Sequence, residues 1–181
     1  MRPPRPPSGS RIPAAVLVPV FRDAESRLRL VLVVRGDRGI HGGQLGLPGG
    51  RAEPGDAGLI ETALRETEEE IGLRREQVDV LAALSPLDAH VSNFRVHPFL
   101  ARIAPDAAFQ LRAGEIVGLL TPLVEELADP AARRELPFSS QALPDGLLVE
   151  GIAIEGHVLW GLTLRLLDPL VPRLLAGEWE L

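Results

Sequence analysis

The sequence predicts an α/β fold in which helices cover both faces of a mixed β-sheet, giving an α/β/α sandwich. Three observations support this prediction: apolar runs of strand length, one long amphipathic helix bounded by glycines, and helical segments that follow strands near the C-terminus. With 181 residues, 45% of them hydrophobic, the chain can bury one sizeable core. We therefore expect a single domain over residues 13–181, preceded by a flexible Pro- and Arg-rich tail over residues 1–12.

The first part of this domain is predicted to be a β-hairpin, a loop and a helix. Residues 14–21 and 28–34 are apolar runs separated by a polar turn, a pattern typical of two paired strands. Residues 36–56 are rich in Gly and contain two Pro, which predicts a loop without regular structure. A helix is predicted from about Gly58 to about Gly72, because glycine commonly ends helices.

The second part is predicted to combine further strands with two helices. Pro169 and Pro172 should break or kink the last helix, because proline cannot donate the helical hydrogen bond. The predicted strands cover residues 78–84, 94–103, 115–119 and 147–154, and the predicted helices cover residues 123–128 and 159–175.

The composition excludes several classes of function. The absence of Cys excludes disulfides, thiolate zinc sites and a Cys nucleophile, and the absence of Lys excludes a Walker-type phosphate loop and a Schiff-base mechanism. A net charge of -6 argues against a general nucleic-acid binder. Because no apolar run approaches a membrane span and the N-terminus lacks the apolar core of a signal peptide, we expect a cytoplasmic protein without a membrane partner.

The predicted helix concentrates carboxylates on one face. Glu66, Glu69 and Glu70 fall within one stripe, because each helical residue advances by about 100° around the axis. Three like charges at this spacing destabilise an isolated helix, whereas Mg²⁺ or Mn²⁺, which prefer oxygen ligands, would neutralise them. The stripe therefore fits a divalent metal site, and a solvated acidic face is the alternative. The apolar face of the same helix comprises Ile60, Leu64, Thr67 and Ile71.

The helix and the Pro-Gly-Gly loop before it resemble the Nudix box of nucleoside-diphosphate-linked hydrolases, GX5EX7REUXEEXGU, where U is a bulky aliphatic residue. The chain departs from this pattern at Thr67, where an aliphatic residue is expected, and at Asp56, which replaces Glu and is followed by one extra residue. Neither departure moves the three glutamates relative to one another. The matching residues are Arg65, Glu66, Glu69, Glu70, Gly72 and Leu73.

This resemblance implies a Nudix-type α/β/α sandwich and a metal-dependent hydrolase that cleaves diphosphates. It implies that Mg²⁺ or Mn²⁺ is held by Glu66, Glu69 and Glu70, with a backbone carbonyl near Gly49 or Gly50 completing the shell. The ion would screen the diphosphate charge, activate a water molecule and align it with phosphorus.

Two further residues are assigned roles in catalysis. Arg65 lies one turn from Glu69 and is expected to orient that carboxylate through a charge-assisted hydrogen bond. The general base is either a glutamate of the box or Glu115, which comes from a later segment. An ordinary surface acid is the alternative interpretation of Glu115.

Other segments resemble the coenzyme A pyrophosphatase branch of the same family: Leu32–Arg35, Gly43-Gln44, Leu47–Gly50 and the Trp-Gly-x-Thr segment Trp160–Thr163. The resemblance implies hydrolysis of coenzyme A or its derivatives to 3′,5′-ADP and 4′-phosphopantetheine. One alternative is a Nudix pyrophosphatase acting on ADP-ribose, NADH or dinucleoside polyphosphates. Another is a catalytically inactive domain that only binds a nucleotide.

The substrate is expected to be a small molecule, and its contacts are predicted at the start of the Gly-rich segment. Arg35 and Arg38 could bind phosphates, including the 3′-phosphate of coenzyme A, although either could instead balance Asp37 or Asp56. Gly43 and Gln44 would let the backbone approach the ligand. Trp160 is predicted to open the last helix and to pack in the core. Dimers are common in the family, which leaves a homodimer as one option.

Overall fold

The structure is a computed structural model that describes residues 11–36, 42–89, 92–140 and 143–181. The strands are β1 (Ile12–Arg22), β2 (Leu28–Leu30), β3 (Leu32–Arg35), β4 (Leu45–Gly46), β5 (Gly49–Arg51), β6 (Val78–Ala83), β7 (Leu87–Ala89), β8 (Phe94–Ile103), β9 (Ile116–Leu120), β10 (Arg133–Ser140), β11 (Leu143–Ile154) and β12 (His157–Trp160). The helices are α1 (Leu59–Ile71), α2 (Val124–Ala128), α3 (Gly161–Leu167) and α4 (Val171–Leu175), with short 3₁₀ turns at Arg75–Gln77 and Pro130–Ala132.

The central sheet is mixed, as the sequence predicted. Its strands follow the order β2-β1-β8-β6, while β5 pairs with β1 and β7 pairs with β8. β1 and β8 run parallel, with Ile12 opposite Phe94 and Val20 opposite Arg102, and the other pairs are antiparallel. The predicted hairpin is confirmed as β1 and β2. Ile12, which the sequence pattern placed in the tail, is the first residue of β1.

Helices cover both faces of this sheet, which confirms the layered α/β architecture. Alternate residues of a strand point to opposite faces, so Leu17 packs with Leu64 of α1, whereas Val18 belongs to the core on the other face. That second core includes residues from all three of the remaining helices: Val124, Leu127, Leu164, Leu166, Leu167, Val171 and Leu174.

The predicted boundaries of α1 are confirmed. Gly58 precedes its first turn, and Gly72 ends it in the left-handed conformation, with φ of 70° and its N–H donating to the Glu68 carbonyl. The predicted apolar face is wrong for Ile60, whose side chain is exposed, and correct for the other three residues, Leu64, Thr67 and Ile71, which are buried. A helical wheel gives the direction of a side chain but does not say whether a neighbour reaches that turn.

The predicted strand over residues 28–34 is in fact two strands in different sheets. β2 pairs with β1, whereas β3 leaves the central sheet and pairs with β4 and β9. The change occurs at Val31, whose N–H donates to the Pro19 carbonyl at 2.9 Å. Since the apolar residues on both sides of Val31 are buried, the apolar pattern gives no sign of the switch.

The prediction that residues 36–56 lack regular structure is wrong for two short stretches, β4 and β5. A Cβ on Gly49 would lie 2.3 Å from the Ala15 carbonyl oxygen, so glycine is what allows β5 to approach β1 this closely. The glycines that suggested a loop therefore also permit a strand beside the Glu-bearing helix.

The predicted helix over residues 159–175 is partly wrong. Trp160 ends β12 instead of opening a helix, and two short helices follow, separated by a break that contains Pro169. Pro172 lies in the first turn of α4, where a missing N–H costs nothing. β12 pairs with β11, which starts earlier than predicted, and β11 pairs with β10, which the sequence analysis missed, as it missed β7.

Candidate active site

The acidic stripe of α1 lies against the backbone of β5. A Cβ on Gly50 would lie 2.5 Å from the Glu66 carboxyl carbon, so that carboxylate rests directly over Gly50. The Gly49 N–H donates to Oε2 of Glu70 at 2.9 Å. The structure thus brings the predicted glutamates and the predicted glycine together, although they come from two separate elements.

Glu70 is the most deeply buried of the three glutamates, with 2% of its side chain exposed. Burial raises the pKa of Glu70 to about 7, against the opposing effects of the Arg35 charge and the Gly49 N–H. The Arg35 Nη1 atom lies 3.9 Å from Oε1 of Glu70, too far for a hydrogen bond. Glu70 therefore offers a carboxylate that these neighbours do not fully neutralise.

Glu66 is partly buried and Glu69 is exposed. Burial raises the pKa of the Glu66 carboxyl, the Arg65 guanidinium opposes that rise, and the charges of Glu69 and Glu115 add to it. Mutual repulsion among these carboxylates is the electrostatic situation that a bound cation would relieve.

Arg65 lies at the centre of a network of hydrogen bonds. It binds Asp56 through two atoms, Nε to Oδ1 at 2.9 Å and Nη2 to Oδ2 at 3.1 Å, and it also donates to the Arg51 carbonyl at 3.2 Å. Its Nη1 lies 3.0 Å from Oε1 of Glu66 and 3.4 Å from Oε1 of Glu69. Arg65 does reach Glu69, as predicted, but its closer partners are Asp56 and Glu66.

The sequence analysis treated Asp56 as a departure from the box and as one alternative partner for Arg35 or Arg38, and it missed the contact with Arg65. Its carboxylate also accepts hydrogen bonds from the Glu53 N–H and the Thr62 hydroxyl, and only 7% of its side chain is exposed. The Arg65 guanidinium, followed by these donors, holds the pKa of Asp56 well below its usual range. Its place upstream of Arg65, where the box has Glu, was the available signal.

Glu115 immediately precedes β9, beside the end of β3. The Gly36 N–H donates to its carbonyl at 2.8 Å, and its charge raises the pKa of both Glu66 and Glu70. A second residue that the sequence analysis missed, Arg112, pairs with both Glu115 and Glu69 of α1, each at 3.4 Å. No local pattern marks Arg112, because it belongs to a segment without helix or strand.

The predicted substrate-contact residues lie at the end of β3, where the structure describes them. The Arg35 N–H donates to the Gln44 carbonyl at 3.1 Å, and the Gly43 N–H donates to the Arg35 carbonyl at 3.1 Å. A Cβ on Gly46 would lie 3.1 Å from Arg35 Nε, so the guanidinium passes over this glycine toward Glu70. Arg38 lies outside the described residues.

The Trp160–Thr163 segment reaches the same region from the C-terminal part of the chain. The Thr163 hydroxyl donates to the Leu45 carbonyl of β4 at 3.3 Å. Trp160 packs against Phe138, with the ring centroids 5.0 Å apart.

The donor set fits a hard divalent cation that keeps part of its water shell. Within the described ranges, no three His, Asp or Glu side chains are arranged so that together they could hold one metal ion. Mg²⁺ does not require such a set, because it commonly binds one or two carboxylates and completes its octahedron with water and phosphate oxygens. Glu70 and Glu66 are the residues best arranged for this, because both are withdrawn from solvent and both pKa values are raised.

In the part of the chain that the structure describes, no helix is long and apolar enough to cross a membrane.

Residues 11–140 match the family model described as NUDIX domain. A Yersinia enterocolitica protein named "Uncharacterized Nudix hydrolase NudL" is 42% identical over 116 residues, which make up 63% of this chain and 58% of that protein. The match thus spans less than two thirds of that relative. A protein of the same name from Pectobacterium atrosepticum is 34% identical over 157 residues, which make up 87% of this chain and 80% of that protein.

Solved structures agree on the fold. The Nudix hydrolase RenU from M. smegmatis superposes with a TM-score of 0.64 at 16% identity, covering 95% of this chain and 90% of that one. The NUDIX domain of Shewanella oneidensis NrtR, solved with ADP ribose, gives a TM-score of 0.52 at 16% identity, covering 70% of this chain and 82% of that one. From the matched domain, the relatives and the fold, this chain belongs to the Nudix hydrolase family.

Proposed function

We propose that this protein hydrolyses the diphosphate bond of coenzyme A or its derivatives, giving 3′,5′-ADP and 4′-phosphopantetheine, with Mg²⁺ or Mn²⁺ as cofactor. Membership of the Nudix hydrolase family supports the diphosphate chemistry. The choice of coenzyme A rests on the segments that resemble the coenzyme A pyrophosphatase branch and on how the fold arranges them.

The contact between Thr163 and Leu45 is the observation that carries the substrate proposal. It joins the Trp-Gly-x-Thr segment to the strand that follows Gly43-Gln44, although the two residues are 118 positions apart. β4 pairs with β3, and β3 ends at Arg35, next to Glu70. Segments that resemble the same branch are therefore joined by hydrogen bonds as far as Arg35, which lies beside Glu70.

We assign the metal ligands to Glu66, Glu69 and Glu70, with the Gly50 carbonyl as a further donor. A bound divalent cation would screen the diphosphate oxygens and lower the pKa of a bound water. Burial raises the pKa of Glu70 to about 7, a bound cation would favour its charged form, and the Gly49 N–H donates to one of its oxygens. Arg65 holds Glu66 in place over Gly50.

For the remaining steps, the chain supplies a base and positive charge. The attacking water would give its proton to Glu115 or to a glutamate of α1, and both face the same cluster. Arg35 would bind a phosphate oxygen, since its guanidinium is only partly buried and lies beyond hydrogen-bond distance of Glu70. We assign Arg38 to the same phosphate-binding role.

A second candidate keeps the chemistry and changes the substrate to ADP-ribose, NADH or a dinucleoside polyphosphate. The ADP ribose bound to the Shewanella oneidensis NUDIX domain favours this alternative, because that domain shares the fold. A third candidate, a domain that only binds nucleotides, is disfavoured because all three box glutamates are present. We propose that residues 13–181 act as one domain, and a homodimer is one option for its assembly.

Product analysis tests the proposal. The protein is incubated with coenzyme A, ADP-ribose or a diadenosine polyphosphate, with and without Mg²⁺ or Mn²⁺, and the products are identified by mass spectrometry. We expect metal-dependent 3′,5′-ADP from coenzyme A. Glu70→Gln should greatly slow its formation, whereas Glu68→Gln, the same change at an exposed position of α1, should not. Faster cleavage of another substrate would overturn the assignment to coenzyme A.

A further inference from the structure

Arg112 is held beside the acidic stripe of α1 by hydrogen bonds of its backbone. The segment before β9 crosses the C-terminal end of α1, where the Gln110 N–H donates to the Ile71 carbonyl at 2.8 Å and the Arg112 N–H donates to the Glu70 carbonyl at 2.9 Å. The Ile116 N–H in turn donates to the Arg112 carbonyl at 3.2 Å. Arg112 is thus attached both to the helix that carries the glutamates and to the start of β9.

The Arg112 side chain bridges two carboxylates weakly. Its Nη1 lies 3.4 Å from Oε2 of Glu69 and 3.4 Å from Oε2 of Glu115, and the three side chains are 55%, 44% and 47% exposed. Ion pairs that are this exposed and use a single nitrogen contribute roughly 0–1 kcal/mol each. The guanidinium can therefore leave both acids at little cost while its backbone stays in place.

Arg65, which contacts the same acidic stripe, is held much more firmly than Arg112. It binds the buried Asp56 through two nitrogens, and that carboxylate has further donors. The contrast indicates that the Arg65 side chain keeps its hydrogen bonds to Asp56, whereas the Arg112 side chain can exchange its two weak ion pairs for a stronger one.

We propose that Arg112 neutralises Glu69 and Glu115 in the metal-free protein and moves to a phosphate oxygen of the nucleotide diphosphate when a divalent cation binds Glu69. The cation and the guanidinium compete for the same carboxylate, and the incoming phosphates then supply a new acceptor. Arg112 is a substrate-binding residue in this scheme. The substrate step rests on the proposed function, whereas the competition with metal does not.

Two effects of opposite sign follow from removing the guanidinium. Without substrate, Arg112→Ala should tighten Mn²⁺ binding by roughly three- to tenfold, because a competing positive charge is gone. With substrate, it should raise KM by roughly tenfold and leave kcat nearly unchanged, because a charge-assisted hydrogen bond is lost. A merely structural role would weaken both metal binding and substrate binding.

The experiment measures Mn²⁺ binding to the free protein by electron paramagnetic resonance, and separately measures KM and kcat. Arg75→Ala is the matched control, because Arg75 is 57% exposed and pairs with Glu61 of the same helix, away from the acidic stripe. Arg75→Ala should leave the Mn²⁺ affinity, KM and kcat unchanged. Arg112→Lys, which keeps the charge, should restore the wild-type Mn²⁺ affinity.

Weaker or unchanged Mn²⁺ binding in Arg112→Ala would overturn the exchange, as would the absence of Mn²⁺ binding to the wild-type protein. An unchanged KM in a protein that cleaves its substrate would overturn the phosphate contact. If the wild-type protein binds Mn²⁺ but cleaves no diphosphate, the proposed function fails, and tighter Mn²⁺ binding by the variant would still support the competition at Glu69.

Discussion

The two sides of the acidic stripe on α1 differ in how firmly their charges are held. On the inner side, Glu70 and Glu66 lie against the backbone of β5 and are largely withdrawn from water. On the outer side, Glu69 is exposed and shares the exposed Arg112 with Glu115. Because they are buried, the inner carboxylates are ionised only at a cost in free energy unless a cation is bound. The outer carboxylates are exposed, so they can exchange ion-pair partners with little change in free energy.

The largest expected effect is on catalysis and separates the two sides. Glu70→Gln should lower kcat/KM by at least about a hundredfold, because even residues that only support metal ligands cost roughly 10- to 100-fold. Glu69→Gln should cost less, since water or substrate oxygen can replace an exposed ligand. Steady-state kinetics on both variants measures the difference. Equal losses of kcat/KM in the two variants would mean that the burial of a glutamate does not decide how much it contributes to catalysis.

The next effect is on the pH dependence of stability in the metal-free protein. The pKa of Glu70 rises from 4.5 to about 7 on folding, so the folded state holds this proton longer than the unfolded chain does. The free energy of unfolding should therefore fall by about 3 kcal/mol as pH rises from about 4.5 to 7, and stay level above that. Burial raises the pKa of Glu66 as well, which acts in the same direction.

Urea unfolding in the presence of a chelator, at pH 5 and pH 8, checks this prediction. Glu70→Gln should lose most of the pH dependence, because the amide does not titrate. The pKa of Asp56 is lowered from 3.8 on folding, so its contribution is complete above that pH and is lost only in more acidic solution. A wild-type protein that is more stable at pH 8 than at pH 5 would contradict the prediction.

A smaller effect is expected from changing Asp56, whose carboxylate binds Arg65 and so helps to position Glu66. Asp56→Asn should lower the free energy of unfolding by about 1–3 kcal/mol, because Arg65 loses its charged two-point partner. It should also lower kcat/KM by roughly tenfold, because Arg65 then holds Glu66 less firmly. The control is Asp79→Asn, which removes the exposed partner of Arg102 and should cost less than about 1 kcal/mol. Chemical denaturation distinguishes the two.

The smallest effect is expected at Thr67, the departure from the aliphatic position of the box. Its hydroxyl donates to the Ala63 carbonyl within the same helix, and the side chain is fully buried. Thr67→Val has nearly the same shape and leaves no unpaired donor, so stability should change by less than about 1 kcal/mol. Activity should stay within twofold. A loss comparable to that of Asp56→Asn would show that the hydroxyl positions the neighbouring Glu66.

The sequence predicted elements well where the signal is local. The ends of α1 and of β8 agree with the predictions, because helical periodicity, a terminal glycine and strand alternation are all contained within one segment. The predictions from sequence were wrong where the same hydrophobic pattern is compatible with two different structures. The apolar run that divides into β2 and β3 looks the same in one sheet or two, and Trp160 ends a strand although apolar residues continue into a helix.

By itself, the sequence determined the family and the stripe of Glu66, Glu69 and Glu70, since spacing along one helix fixes which side chains share a face. Only the tertiary structure decided their surroundings. Arg112 reaches Glu69 from 43 positions away, and Thr163 reaches Leu45 from 118 positions away. Such contacts depend on how strands and connecting segments pack, which no local pattern records. Burial, and with it the raised pKa of Glu70, follows from the same packing.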